Sequence, residues 1–305
     1  MSRTPLHGIN GSNPLGFMAA LGLLRVASER FPGARLAFAD DGSFCADLEN
    51  VDGDIVELVV ADATQASEQA AWRLTYEKEE KKGTKVVADL KPPPEVFKRF
   101  LDSQIVAWKA GNPEGAAYAA AYATSVVTDN NGNTKPTAFH FTAANQEFLK
   151  AVDTSRSLLD SQWVHDSLLV GHAARTGSNL RWDPAAERNW ALMASNPTTE
   201  GTSVDAPLEW LAFRSLPFFP SFPRDAFPKP RVATTAVSGR GDEMRFVWPL
   251  WRLPASRETV RSLLQAEWDD DDAERPESGV FAVCSSDIRR TSQGFGNFGP
   301  PIVRT

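Results

Sequence analysis

Asn13-Pro14-Leu15-Gly16-Phe17-Met18-Ala19-Ala20-Leu21-Gly22-Leu23-Leu24-Arg25 is the stretch on which the fold turns. Asn13 is a good N-cap, because its side-chain oxygen can accept from amides that have no partner in the first helical turn. Pro14 suits the first helical position, and residues Leu15 to Phe31 are rich in Ala, Leu, Met and Phe. Pro32-Gly33 then stops the helix. Its apolar residues cover most of the circumference rather than one stripe, which predicts an N-terminal helix buried on several sides.

Working outward, Arg35 to Ala39 alternates as a strand should, Asp40-Asp41-Gly42 turns the chain, and Phe44 to Leu48 forms a second strand. Residues 54–70 fit a helix, yet Ile55 to Val60 equally fits a strand. Trp72 to Glu77 and Lys85 to Leu90 read as paired strands with a charged tip containing Gly83. Pro92-Pro93-Pro94 launches a helix to about Lys109, ended by Gly111-Asn112-Pro113, and Ala116 to Val127 reads as a packed helix. Thr128 to Lys135, with Asn130-Asn131-Gly132-Asn133, is the loop that best separates two lobes. Beyond it, Thr142 is expected to cap a helix to about Leu149, and Ser157 to Val170 to form another. Ser256, with Glu258 in the first turn, should cap the last helix.

The expected fold class is α+β: short strands mixed with helices, in two closely packed lobes around the buried first helix. Residues 1–127 form the N-terminal lobe. Residues 136–305 form a Trp- and Pro-rich C-terminal lobe, where six of the nine tryptophans lie between Trp182 and Trp268. A chain of 305 residues can bury a sizeable core.

Two cysteines, Cys45 and Cys284, lie far apart with no metal-type spacing, and no secretory or membrane-spanning stretch stands out, so a cytoplasmic location is expected. Net charge is −7, unevenly spread. Leu36 to Trp72 holds nine acidic residues and no lysine or arginine, whereas Arg224 to Arg261 holds eight basic against four acidic residues. A freestanding nucleic-acid binder is normally basic overall, so any such contact here must be local or shared with partners.

The tests for chemistry mostly exclude. Gly294, Gly296 and Gly299 spell GxGxxG, but Pro300-Pro301 follows at once and no helix can open there to hold a pyrophosphate. Neither GxxxxGK[ST] nor GxSxG occurs. The four histidines, His7, His140, His165 and His172, form no metal-binding pattern, and His140 within Phe139-His140-Phe141 reads as a strand position. No cofactor, metal or catalytic set is implied, and the chain is not expected to be an enzyme. A site assembled only in space stays open.

Three stretches could form a binding surface. His7 to Pro14, with Asn10, Ser12 and Asn13, is an amide- and glycine-rich loop entering a helix; it could hold a phosphate or be a tight turn with a cap. Arg181-Trp182-Asp183-Pro184 with Arg188 is either an interaction loop or a rigid structural one. Ser285 to Phe298 carries Arg289, Arg290, Phe295, Asn297 and Phe298, which suits phosphate contacts with base stacking, or a tail docked on the core.

These stretches, in order, carry a resemblance. The Asn-Pro-Leu-Gly helix is followed by Arg181-Trp182-Asp183-Pro184 with Arg188 and Ala191-Leu192. Leu208 to Ala212, Leu216 to Pro220, Thr234-Thr235, Phe246 to Trp251 and the basic tail come after. Together the sequence resembles the "extension" family associated with the helicase-nuclease of type I-G (formerly I-U) CRISPR loci. That resemblance implies a non-catalytic subunit of an RNA-guided antiviral effector complex. Its partners would be other effector subunits, the helicase-nuclease, and guide RNA or target DNA, with no membrane role. Two other readings stay open: a hydrolase or nuclease with a spatially assembled site, and a purely structural protein-interaction subunit.

Overall fold

The computed structural model describes residues 2–65, 70–80, 83–142, 146–171, 173–177, 179–186, 203–268, 278–291 and 295–305. Strand β1 (Arg3–Asn10) leads into helix α1 (Pro14–Arg30), where the Asn13 side chain accepts from the Leu15 amide at 2.8 Å. Every residue from Pro14 to Ala27 is buried. Strands β2 (Arg35–Phe38) and β3 (Cys45–Glu49) follow, and all three strands form an antiparallel sheet in the order β1-β3-β2. The ambiguous stretch after them is helix α2 (Ile55–Gln65), whose first turn hangs on the Asp54 carboxylate.

Hairpin β4 (Tyr76–Glu80) and β5 (Gly83–Val87) pairs nearer its tip than the sequence suggests, with Tyr76 opposite Val87. Helix α3 is Pro94–Lys109 and α4 is Glu114–Tyr122. The helix expected to reach Val127 stops at Tyr122, because Thr124, Val126, Val127 and Thr128 are β-branched and form strand β6 (Ala123–Thr128). Strand β7 (Thr134–Pro136) pairs with it across the 128–135 turn.

The next helix is also displaced from its expected place. Helix α5 is Phe148–Ser157, starting near where the helix from Thr142 was expected to end (residues 143–145 lie outside the described residues), because the Phe148 amide is capped by the Asp89 carboxylate at 3.1 Å, a partner 59 residues away. Asp160 then caps α6 (Ser161–His165), which continues as a wider π-type turn over Asp166–Val170. Two-residue strands β8 (Arg175–Thr176) and β9 (Ser203–Val204) pair before helix α7 (Ala206–Ser215).

Hairpin β10 (Ser221–Arg224) and β11 (Arg231–Thr234) precedes the largest sheet. That sheet runs β12 (Val237–Ser238), β13 (Arg245–Trp251), β14 (Val280–Arg290), β15 (Gly296–Phe298), with β16 (Ile302–Arg304) also on β14. Between β13 and β14 lies α8 (Arg257–Gln265), capped by Ser256 as expected. The whole is a mixed α and β structure of several helices and small antiparallel sheets.

Helix α7 and the buried stretch Pro14–Ala27 of α1 pack against each other, and one contiguous hydrophobic cluster draws on residues from both sides of 128–135. Phe17 of α1 stacks on Phe38 and Trp248 and meets Trp251 edge-on. The two indoles of β13 sit inside with their N–H groups satisfied: Trp248 donates to Gly11 O at 2.8 Å and Trp251 to Leu36 O at 2.7 Å. These two bonds tie the C-terminal sheet to the N-terminal one.

One corner of the core is charged. Arg25 and Arg214 share Glu114, and Arg214 also reaches Asp62 at 3.1 Å and Glu29 at 3.2 Å. The Tyr118 hydroxyl accepts from both guanidiniums. Burial would raise Glu114, but the two arginines hold it below its ordinary value. Asp62 and Glu29 stay raised, because burial outweighs Arg214 and Arg25.

Candidate nucleic-acid interface

The segment 137–142 joins the stretches singled out in the sequence. Phe139-His140-Phe141 is a turn rather than a strand, with the His140 amide bonded to Thr137 O. Its carbonyls are taken up by neighbouring segments: Phe139 O accepts from the Trp182 indole at 2.9 Å, and Phe141 O from the Gly296 amide. Ala138 O and His140 O both accept from the Arg290 guanidinium, at 2.9 and 3.1 Å. His140 is buried beside Asp89, 3.0 Å away, and burial lowers its pKa.

Around this turn the predicted loops pack on one another. His7 to Asn10 belongs to β1 rather than to a loop, and Gly8 lies so close to the Ser167 carbonyl that a Cβ would be 2.0 Å from it. Asn10 accepts from Ser12, and Asn13 caps α1 while donating to Asp183 at 3.3 Å. Arg181, at φ +64°, lies over the Phe295 ring, 4.4 Å from its centroid. Trp182 and Phe298 are fully buried, the latter among Phe139, Phe141 and Phe246. Asn297 donates to Phe298 O, and Arg289 lies against Gly299 on the opposite face of β14 from Arg290. Arg188 lies outside the described residues.

Arg290 leads to a feature the sequence reading missed. It lines a cleft of about 740 Å³ together with the β6–β7 turn, hairpin β10–β11, strand β12 and the turn Gly241–Glu243. Five cationic side chains, those of Lys135, Arg224, Arg231, Arg240 and Arg290, line it against two carboxylates, Asp129 and Asp242. Asp129 is occupied in capping its own turn, accepting from the Asn131 and Asn133 amides.

The three arginines on the hairpin side are the informative ones. Arg224 and Arg231 stand directly opposite each other across the β10–β11 ladder. Like charges in that position repel and weaken a hairpin unless something neutralises them. Burial together with Arg240 and Arg224 draws Arg231 below its ordinary value. None of the three makes an ion pair among the described residues. On the other wall, partial desolvation and the neighbouring Arg290 and Lys91 lower Lys135, with Asp129 opposing. The signal available in the sequence was the basic excess from Arg224 to Arg261, but which side chains converge is set by the hairpins.

A second polar site lies on α7. Glu209 is buried and accepts from the Leu180 amide at 2.7 Å. Burial, aided by Asp205 and Asp183, pushes its carboxyl from 4.5 up to about 8. The folded protein therefore keeps a proton that the unfolded chain releases above its ordinary value. The associated stability is complete below pH 4.5 and is lost as pH rises through about 8. Glu209→Gln keeps the acceptor for Leu180 without the ionisation. Its melting temperature should gain on the wild type from about pH 5 to about pH 9, with a difference on the order of a few kcal/mol. Parallel melting curves for the two proteins would refute the shift.

Among the described residues no group of three or more His, Cys, Asp or Glu side chains is placed to hold a metal ion, and no helix is long and apolar enough to cross a membrane. Cys284 is buried, which raises its thiol to about 12 and leaves it unreactive. No protein-family model matches the chain, and a search of curated proteins returns no relative.

Proposed function

We propose that this chain is a non-catalytic subunit of an RNA-guided antiviral effector assembly, of the kind encoded in type I-G CRISPR loci. In this reading it contacts guide RNA or target DNA through the cationic cleft and docks on other effector subunits or the helicase-nuclease. The observation that carries the nucleic-acid part is the set of unneutralised arginines Arg224, Arg231 and Arg240 in a cleft with Lys135 and Arg290, on a protein of net charge −7. Concentrated positive charge that outnumbers the carboxylates beside it, with three arginines in no ion pair among the described residues, is what a phosphate backbone requires. The ordered motifs of the sequence support the assembly part.

The division into lobes 1–127 and 136–305, closed around the first helix, belongs to the same proposal; it puts the 128–135 turn at one lip of the cleft. Arg290, anchored on two carbonyls, is the member of the basic tail best placed for a phosphate. Asn10, Ser12, Asn13, Arg181, Trp182, Asp183, Phe295 and Phe298 act by holding that end of the molecule rigid.

Two measurements test this reading. Co-expressed with the effector subunits and guide RNA of such a locus, the chain should purify with them; a chain that ignores all of them contradicts the assembly. The triple variant Arg224→Ser, Arg231→Ser, Arg240→Ser should bind a labelled oligonucleotide about tenfold or more weakly near physiological salt. It should melt no lower than the wild type, because it sheds like-charge repulsion. Unchanged affinity would remove the cleft from the interface.

A further inference from the structure

The hairpin that supplies Arg224 and Arg231 also carries two aromatic rings that make no ring–ring contact among the described residues. Phe222 is 48% exposed and Phe227, in the connection between β10 and β11, is 100% exposed. Side chains two apart on a strand share a face, so Phe222 and Arg224 point the same way. Register places Arg231 opposite Arg224 and Ala233 opposite Phe222, on that same face. The opposite face is the anchored one. Thr234 is buried, its hydroxyl accepting from the Ala138 amide at 3.0 Å and lying 3.3 Å from the Ser221 hydroxyl. The hairpin is thus fixed through Thr234 on one face and carries Phe222, Arg224 and Arg231 on the other, while Phe227 in its connection and Arg240 line the same cleft as Arg224 and Arg231.

We propose that hairpin β10–β11 takes single-stranded nucleic acid, with Phe222 and Phe227 stacking on bases while Arg224, Arg231 and Arg240 hold the intervening phosphates. This deepens the cleft reading and rests on it. Bases within a duplex are stacked on each other and offer a side chain no free face, whereas a single strand exposes one at every nucleotide. A single exposed ring needs no explanation, but rings set between guanidiniums on one hairpin offer a face for stacking beside the charges that hold phosphates. Exposed rings alternating with cations therefore select the single strand, while cations alone would accept either form. Stacking of this kind tolerates any base, so the hairpin supplies affinity for unpaired strand without reading sequence.

The test uses the full chain and labelled oligonucleotides of about 15 nucleotides, as single-stranded RNA, single-stranded DNA and duplex DNA. Phe222→Ala with Phe227→Ala should lower affinity for the single strands about tenfold or more and leave duplex affinity within about twofold. Phe227→Trp should retain single-strand binding, and its added fluorescence should be quenched by the strand, a signal that a merely structural role would not give. Unchanged single-strand affinity, or an equal loss on duplex, overturns the stacking role while the cleft arginines still account for binding. If the wild type holds neither form, both the stacking role and the nucleic-acid reading of the cleft fall.

Discussion

Gly22→Ala should destabilise the protein by about 3 kcal/mol or prevent folding, against the usual sign of such a change. In the middle of a helix, alanine is normally better than glycine by about 0.5–1 kcal/mol, because it gives up less backbone entropy. Here α1 meets α7 so closely that a Cβ on Gly22 would lie 1.7 Å from the Leu211 carbonyl oxygen. Both partners are backbone in the buried parts of these helices, so no side chain can swing away to make room. The helices would have to separate, and that separation would loosen the packing of Phe17 on Trp248 and Phe38. Gly33→Ala is the control: its added Cβ would find only Asn50, at 3.9 Å, and should change stability by less than about 0.5 kcal/mol. Equal denaturation midpoints for the two variants would contradict the α1–α7 contact.

Arg214→Met should cost about 3–5 kcal/mol near pH 8, because it strands carboxylates that this arginine neutralises. Asp62, Glu29 and Glu114 all reach Arg214, and among the described residues the other cation paired with them is Arg25, which bonds Glu114 and lies 3.9 Å from Glu29. Methionine fills much of the volume, so lost packing is a minor part of the effect. The pH dependence identifies the cause. Burial already raises Asp62, and losing Arg214 removes the largest influence that lowers it. A carboxyl raised in the folded state favours folding as pH falls toward its ordinary value, so the deficit should shrink at about pH 5. Asp62→Asn in the same background should recover part of it. A deficit independent of pH would mean that cavity formation, not charge, is responsible.

What was legible in the sequence was local. Asn13-Pro14 fixed the start of α1, Pro32-Gly33 its end, and Ser256 the last helix, because caps and breakers act within one turn. Where an element depended on a distant partner, its boundaries moved. Phe148 starts α5 because Asp89 caps it from another segment, and the β-branched run after Tyr122 gave way to a strand once β7 was there to pair with. The candidate site divides the same way. Arg290 was found by composition, whereas Arg224, Arg231 and Arg240 gain meaning only from the register that sets two of them face to face. Trp182 and Phe298 carried the aromatic character expected of a binding surface, but their rings are in the core, and an aromatic residue looks the same in sequence whether it is buried or presented.

The central claim is that the cleft holds a phosphate backbone, and the salt dependence of binding tests it most directly. Affinity of the wild type for a single-stranded oligonucleotide should fall steeply as salt rises, and log affinity against log salt should be linear. Each phosphate contact on a single strand contributes about 0.7 to that slope, so removing Arg224, Arg231 and Arg240 together should flatten it by about 2. An identical slope and affinity in the triple variant, or no binding by the wild type at low salt, would contradict the account.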